Sequence, residues 1–225
     1  THQLAQQADI LIANYKPGAA ERLQMDYATL SQNNPGLIYA HLTGYGSEDP
    51  RTGYDALIQA ESGFLYLNGY PGSVPAKMPV ALMDILAAHQ LKEAILVALL
   101  QRFHNQQGDY IEVSLIQSAL ASLANQASNY LVARHEPQPM GLEHPNIVPY
   151  GTLYNTMDHK QIMLAIGSDR QFAQLCTILA DPALAQNTDY ATNAQRVSAR
   201  ESLHTRLRPL IATHIAQDLL NKLWQ

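Results

Sequence analysis

Two short apolar segments separated by helical sequence constrain the fold of this chain more than any other feature. The segments Ile10–Ala13 and Leu37–Leu42 each end in residues that break regular structure, Lys16–Gly18 after the first and Thr43–Gly46 after the second. Short apolar runs bounded by such breakers are typical of buried strands. A strand, helices and another strand form the pattern of a parallel sheet. The sequence therefore predicts an α/β fold, with an open Rossmann-like parallel sheet and flanking helices.

Further segments extend this pattern towards residue 134. Asp26 is placed to cap a helix that ends before the breaker Asn33–Gly36, and Pro17 suits the first turn of the helix before it. Beyond the second strand, the sequence predicts helices over Tyr54–Leu67, Pro79–His104 and Ile116–Arg134, and a strand over Tyr110–Leu115.

The composition changes after residue 134 and indicates a domain boundary. Residues 135–147 are rich in proline and form a predicted linker between a large domain, 1–134, and a smaller α+β domain, 148–225. The small domain begins with a predicted hairpin of Tyr150–Tyr154 and Gln161–Ile166. Neither end of the chain carries a helix start or stop signal. We therefore expect a piece of a longer chain, with the large domain incomplete at its N-terminus and the small domain at its C-terminus.

The charge and cysteine content exclude several classes of partner. The net charge is −5 without a run of like charges, which argues against binding to nucleic acid. The longest apolar stretch, Val80–Leu100, contains four ionisable residues, so no membrane span is expected. The single cysteine, Cys176, cannot form an internal disulfide. These features predict a cytoplasmic protein, with an organelle matrix left open.

Asp84 is the most unusual residue of the chain, because it is the only ionisable side chain among the nine residues Val80–Ala88. A charge in an apolar setting is costly unless it is paired or faces a cleft. With Pro79 as the first helical residue, Asp84 falls in the second turn, where the preference of the helix dipole for acids has faded. A functional carboxylate and an ordinary acid near a helix start both remain open at this point.

The segment Asn14–Arg22 is a second candidate site. It follows the carboxyl end of a predicted strand and opens a helix, where open α/β sheets bind ligands and helix N-termini attract phosphate. Lys16 and Arg22 add positive charge there. On sequence alone, a solvated turn with a surface ion pair is the favoured interpretation of the same residues.

The remaining candidates are weaker. Gly53–Asp55 is compatible with a glycine turn before a helix-starting acid, and His144 lies in the linker, where it is able to reach a cleft between domains or to be purely structural. No cysteine pair or His-Glu-x-x-His pattern has the spacing of metal ligands, so no metal site is expected. Serine-hydrolase and dinucleotide-binding glycine motifs are absent as well.

Taken together, these segments resemble the class III CoA-transferase family (CaiB/BaiF), which includes formyl-CoA and carnitine CoA-transferases. Each motif alone is weak, but the set occurs in family order over nearly the whole chain. The matching segments are Ala8–Gly18, Glu21–Leu23, Asn34–Ala40, Thr43–Gly46, Gly53–Asp55, Pro79–Ala87 and His144–Tyr150.

The resemblance implies an activity and a set of site residues. It implies that Asp84 is the nucleophile, that coenzyme A or acyl-CoA binds as a substrate rather than as a tightly bound cofactor, and that a small carboxylic acid is the acceptor. It also implies an interlocked homodimer, in which each chain threads through the other's ring. Arg22 is the best phosphate contact, because its guanidinium is a permanent multidentate donor. The family usually has arginine where this chain has Lys16, which keeps the charge but loses the fork. The CoA-site positions are Asn14, Tyr15, Lys16, Arg22, Leu23 and Tyr54, and His144 is a substrate candidate.

Two other readings remain open beside the transferase. An α-methylacyl-CoA racemase would share the fold and the CoA site, but its second base, a histidine, would fall at Tyr54. The phenol of a tyrosine, with a reference pKa near 10, is a poor base at neutral pH. The other reading is a CoA-binding subunit or an inactive fragment. Among transferases, the region of Ile147–Tyr150 and the long helix resemble enzymes of short dicarboxylic acids, such as glutarate or mesaconate, more than formyl-CoA transferase.

Overall fold

The computed structural model describes residues 1–224. The chain divides into two compact units, Thr1–Pro139 and Met140–Gln225. The division falls inside the segment 135–147, which the sequence predicts as a linker.

A three-stranded parallel sheet forms the centre of the first unit. Its strands are β1 (Ile10–Ala13), β2 (Ile38–Thr43) and β3 (Asp109–Ser114), in the order β1-β2-β3, with both neighbouring pairs parallel. The parallel pairing confirms the predicted α/β class. The bounds of β1 are those predicted, whereas β2 and β3 differ from the predicted bounds by one residue at each end.

The central strand β2 is buried on both faces because its alternate side chains enter two separate cores. Leu37, just before the strand, and Tyr39 pack with Leu30 on one face, while Ile38 and Ala40 pack with the long helix on the other. A strand covered on both sides reads as a continuous apolar run, which is why it stood out in the sequence.

The first unit also contains eight helices, of which α6 packs against β2 and β3. The long helix α6 begins at Leu82, three residues later than predicted, because the segment Pro79–Ala81 forms a bend rather than a helical turn. Two other predicted helices are each broken in two. Their breaks lie at Gly63 and Ala124, which adopt positive φ angles of 88° and 48°. The bounds are α1 His2–Ala5, α2 Ala19–Arg22, α3 Tyr27–Ser31, α4 Asp55–Glu61, α5 Phe64–Leu67, α6 Leu82–Asn105, α7 Leu115–Ser122 and α8 Asn125–Ala133.

The second unit is α+β. The predicted hairpin is present as β4 (Tyr150–Asn155) and β5 (Gln161–Ala165), which pair antiparallel. Ser168 caps the following helix by accepting a hydrogen bond from the N–H of Gln171. The helices are α9 Asp169–Ile178, a 3₁₀ helix Pro182–Gln186, α10 Asn193–Ser198, α11 Arg200–Ile211 and α12 Ala216–Leu223. These helices and the hairpin share one apolar core around Phe172 and Leu203. Within residues 1–224, no helix is long and apolar enough to cross a membrane.

Candidate active site

A cavity of about 260 Å³ lies at the carboxyl edge of the sheet in the first unit. Asn14 follows β1, Gly44 follows β2 and Leu115 follows β3, and all three line this cavity. Asp84, from the start of α6, lines it as well. The carboxyl edge is where open parallel sheets bind their ligands. The fold thus brings the unusual carboxylate together with the segment after the first strand.

Asp84 lies in the first turn of α6, not in the second turn that the sequence predicts. Partial burial raises the pKa of its carboxyl group, and the nearby negative charge of Asp55 raises it further. A position in the first turn of a helix favours the charged form of an acid through the helix dipole, which acts in the opposite direction. The side chain remains exposed to solvent all the same. The described residues therefore remove part of its hydration without closing the cavity over it.

Two glycines permit the loop between β2 and α4 to close the wall of the cavity. A Cβ atom built on Gly53 would lie 2.3 Å from the Cα atom of Gly44, and one built on Gly44 would lie 2.7 Å from the backbone of Gly53. The two backbones are in direct contact, which no residue with a side chain allows. The motifs Thr43–Gly46 and Gly53–Asp55, which are separate in sequence, are thus one structural unit beside Asp84.

The predicted CoA-site residues divide into two groups. Asn14, Tyr15 and Lys16 line the cavity with Asp84. Arg22, Leu23 and Tyr54 do not line it and are exposed, Leu23 and Tyr54 to 57% and 67%.

Arg22 and Lys16 carry positive charges without carboxylate partners. Among the described residues, neither side chain makes an ion pair of 4.0 Å or less. A surface ion pair therefore does not account for them. Since α2 has only four residues, the helix itself offers little for a phosphate, and any anion here depends on the two side chains.

A polar chain that the sequence analysis missed holds Tyr15 in place. His41 on β2 is only 7% exposed, and its Nε2 lies 3.1 Å from the carbonyl oxygen of Tyr15. Because a carbonyl only accepts, Nε2 carries the proton, and in the neutral ring Nδ1 accepts from the Tyr110 hydroxyl at 2.9 Å. A histidine within an otherwise apolar strand was the available signal. The side chains of His41 and Tyr110 border a second cavity of about 370 Å³, and Lys16 lines both this cavity and the first one.

His144 lies in the second unit and is half-buried. Its Nδ1 accepts a hydrogen bond from the N–H of Asn146 at 3.1 Å, and its ring packs edge-on against Tyr150. Burial lowers the pKa of His144, and the charge of Arg200 lowers it further. The ring is therefore neutral at pH 7 with its proton on Nε2, so it is able to donate one hydrogen bond but does not attract an acid by charge.

The side-chain chemistry near Asp84 is limited. No histidine or cysteine lines the 260 Å³ cavity. Over residues 1–224, no three histidine, cysteine or acidic side chains are grouped so as to hold a metal ion. The ionisable side chains on the cavity wall are those of Asp84, Tyr15, Lys16, Asp49 and Arg51, and the last two pair with each other at 2.9 Å.

Comparison with known protein families identifies relatives along the whole chain. A family model described as CoA-transferase family III matches residues 1–225. The succinate–glutarate CoA-transferase of Agrobacterium fabrum is 37% identical over 214 residues, which cover 94% of this chain and 52% of that protein. The human succinyl-CoA:glutarate CoA-transferase is 34% identical over 204 residues, 89% of this chain and 46% of that protein. The chain thus spans about half the length of these curated relatives.

Solved structures give the same picture. A CAIB/BAIF family protein from Brucella suis superimposes with a TM-score of 0.75 at 36% identity, covering 99% of this chain and 59% of that one. Rv3272 from Mycobacterium tuberculosis superimposes with a TM-score of 0.85 at 27% identity, covering 99% of this chain and 59% of that one. The resemblance noted in the sequence motifs is confirmed by these matches.

Proposed function

Because the chain belongs to CoA-transferase family III, we propose that the protein moves CoA from an acyl-CoA donor to a carboxylic acid acceptor, with Asp84 as the nucleophile. One observation carries the proposal: the carboxyl group of Asp84, with its raised pKa, lines the cavity at the carboxyl edge of the parallel sheet. An ionised carboxylate with a raised pKa is a stronger nucleophile than an ordinary one.

In the proposed reaction, CoA passes from the acyl group of the donor to that of the acceptor through Asp84, and no water is consumed. The Asp84 carboxylate attacks the thioester carbonyl of the donor, forming a mixed anhydride and releasing CoA as a thiolate. The thiolate attacks the Cγ atom of Asp84, giving an aspartyl-CoA thioester and the free donor acid. The acceptor carboxylate then attacks the same carbon to form a second anhydride, and the released thiolate takes the acceptor acyl group. Asp84 is regenerated as a carboxylate.

Both anhydrides are sensitive to hydrolysis, so the reaction requires that water be kept out. Asp84 is exposed in the described residues, and we infer that the bound acyl-CoA itself covers the cavity. Each tetrahedral intermediate also needs a hydrogen-bond donor for its oxyanion. One candidate is the N–H of Asp84, which donates to no acceptor outside α6 among the described residues.

The proposed substrates follow from the relatives. The Agrobacterium and human relatives named above carry names that contain succinate or succinyl-CoA and glutarate, and a further relative, 28% identical over 223 residues, is an acetyl-CoA:oxalate CoA-transferase. All three names contain a short dicarboxylic acid. We propose succinyl-CoA as the donor to test first and short dicarboxylic acids as acceptors. An interlocked homodimer also remains a proposal.

A racemase is the alternative within the same fold. It requires a second base to return the α-proton, as a histidine does in the relevant branch. No histidine lines the cavity of Asp84, and Tyr54 does not line it. This favours the transferase. The remaining alternative, a CoA-binding fragment without activity, predicts binding without turnover.

The activity is tested with the protein expressed together with any sequence that flanks residues 1–225 in its gene. Succinyl-CoA is mixed with a panel of acids that includes glutarate, mesaconate and oxalate, and new CoA esters are measured by mass spectrometry. A branched acyl-CoA in deuterated water serves as the racemase arm. Formation of an acceptor-CoA supports the transferase. Deuterium uptake at the α-carbon without any CoA transfer would contradict the transferase and support the racemase. Binding of CoA without either reaction would support the CoA-binding fragment without activity.

Replacement of Arg22 by alanine is expected to weaken CoA binding. An unpaired, exposed guanidinium that contacts a phosphate contributes about 1–3 kcal/mol, so the Kd for CoA rises by roughly 5- to 150-fold. The measurement is calorimetric titration with CoA and with dephospho-CoA, which identifies the phosphate concerned. Arg134→Ala removes the same charge from another exposed position of the first unit and serves as the control. An unchanged Kd in Arg22→Ala would mean that Arg22 contacts no phosphate of CoA and is part of a solvated turn.

Replacement of His144 is expected to affect the acceptor acid and not the donor. If its Nε2–H donates to an acceptor carboxylate, His144→Ala raises the KM for the acceptor by roughly fivefold or more, the loss of one charge-assisted hydrogen bond, and leaves the KM for acyl-CoA nearly unchanged. His144→Asn is able to accept from the N–H of Asn146 and so preserves the local turn. Equal effects on both substrates, or full rescue by asparagine, would assign His144 a structural role.

A further inference from the structure

The start of α6 has no cap of its own. Its N-cap residue is Ala81, whose side chain accepts no hydrogen bond. The first N–H groups of a helix need acceptors from elsewhere, and a missing cap costs about 1 kcal/mol. The N–H of Leu82 bonds back to Val80, and the N–H of Met83 needs a partner from outside the segment.

That partner is a carboxylate on another helix. Oδ1 of Asp55, the first residue of α4, accepts the N–H of Met83 at 2.9 Å. Met83 is fully buried and immediately precedes Asp84. The cap therefore acts one residue before the proposed nucleophile.

Asp55 is itself held by a buried amide. Its Oδ2 accepts from Nε2 of Gln59, one turn later on α4, at 2.7 Å. Gln59 is completely buried, and its Oε1 accepts the N–H of Met78 at 2.8 Å. The pair thus joins α4 both to the first turn of α6 and to the segment that leads into it. Since each of these polar atoms has a hydrogen-bond partner, the arrangement fixes the position of α4 relative to the start of α6.

We propose that Asp55 is the positioning residue of the nucleophile: with Gln59 behind it, its carboxylate fixes the first turn of α6 and thereby the place of Asp84 in the cavity. This inference rests on the proposed role of Asp84. Asp55 does not line the cavity, so it acts through the helix and not on the substrate. Its negative charge adds a second effect, because it makes ionisation of Asp84 less favourable and so keeps that group basic.

The two effects are separated by two substitutions. Asp55→Asn keeps one oxygen for the N–H of Met83 but removes the charge and the second acceptor oxygen, which bonds Nε2 of Gln59, so the pKa of Asp84 falls. Because transfer needs the ionised nucleophile, activity rises with pH through that pKa, and the acid limb of kcat moves to lower pH. Asp55→Ala removes the cap as well, so kcat falls further, by roughly tenfold or more relative to the asparagine variant.

A matched control is present in the second unit. Asp158 caps the first turn of α12 in the same way, by accepting the N–H of Ala216 at 2.9 Å, but that helix carries no proposed catalytic group. Asp158→Asn is therefore expected to change stability without moving the acid limb. A role of Asp55 that is merely structural predicts the same for Asp55→Asn.

A direct titration keeps this test independent of turnover. The ¹³C signal of the Asp84 carboxyl carbon is followed against pH in the wild type, Asp55→Asn and Asp158→Asn. A lower pKa in Asp55→Asn alone supports the effect of the Asp55 charge, and equal pKa values in all three overturn that effect. The positioning role is decided by kcat: a lower value in Asp55→Ala than in Asp55→Asn supports it, and equal values in the two variants overturn it. If the pKa moves but no transfer occurs with any acid, the proposed function fails instead.

Discussion

Asp84→Ala is expected to abolish CoA transfer while the protein still binds CoA. The nucleophile takes part in every covalent step of the proposed reaction, so its removal leaves no alternative path through the aspartyl-CoA thioester. Removal of a catalytic nucleophile typically lowers kcat by several orders of magnitude, and we expect less than about 1% of the wild-type rate. CoA affinity is expected to stay within about tenfold, because the nucleophile contributes little to ground-state binding. Steady-state kinetics and calorimetric titration measure the two quantities.

Glu93→Ala provides the control for this substitution. Glu93 is an exposed acid on the same helix, and it does not line the cavity. Its removal changes the charge of α6 by the same amount and is expected to leave kcat within about twofold, as is usual for surface substitutions. Activity of several per cent in Asp84→Ala would contradict the covalent mechanism, since water and CoA alone do not provide such a rate.

Gly53→Ala is expected to have the second-largest effect on catalysis, after Asp84→Ala. A Cβ atom at 2.3 Å from the Cα of Gly44 cannot be accommodated without movement of one backbone. Overpacking of this kind costs about 1–3 kcal/mol of stability. The displaced loop also forms the wall of the cavity beside Asp84, and a misplacement of about 1 Å near reacting groups can lower the rate by roughly 100-fold. We therefore expect kcat/KM to fall by about 10- to 100-fold, with a lower thermal midpoint.

Gly36→Ala distinguishes the close contact from the general effect of removing a glycine. A Cβ atom on Gly36 would meet the side chain of Asn34 at 3.8 Å, an ordinary van der Waals distance. This control is expected to leave kcat/KM and the thermal midpoint near the wild-type values. A Gly53→Ala variant with wild-type kinetics would mean that the contact between the two loops does not shape the site.

The strands β1 and β2 were predictable because they are short, apolar and bounded by breakers. Burial on both faces explains the apolar run of β2. Ile10–Ala13 has the same bounds in sequence and structure, but it lies at the edge of the three-stranded sheet and is not the buried strand expected, since Ile12 is 66% exposed. The breaks in the predicted helices were harder to foresee. Glycine is a poor helix former, so Gly63 is a weak point of its predicted helix, whereas Ala124 adopts a positive φ angle that no local residue preference indicates.

The site was predictable where a residue conflicted with its surroundings, as Asp84 does in an apolar segment. The same rule applied to β2 would have identified His41. The hydrogen bonds that Asp55 and Gln59 make to the start of α6 could not be predicted in this way. Both residues are common at such positions of a helix, and their partners lie about 20 to 30 residues away. Long-range hydrogen bonds leave no periodic pattern in the sequence. The role of each site residue stays a prediction until the substitutions above are made.

The most direct test of the proposed mechanism is to trap the covalent intermediate. The protein is mixed with succinyl-CoA without an acceptor, digested, and analysed by mass spectrometry for a peptide that contains Asp84. The mechanism predicts a mass increase equal to CoA less one water on that peptide, lost on addition of glutarate and absent from Asp84→Ala. Turnover with no adduct on Asp84 under these conditions, or an adduct on another residue, would contradict it.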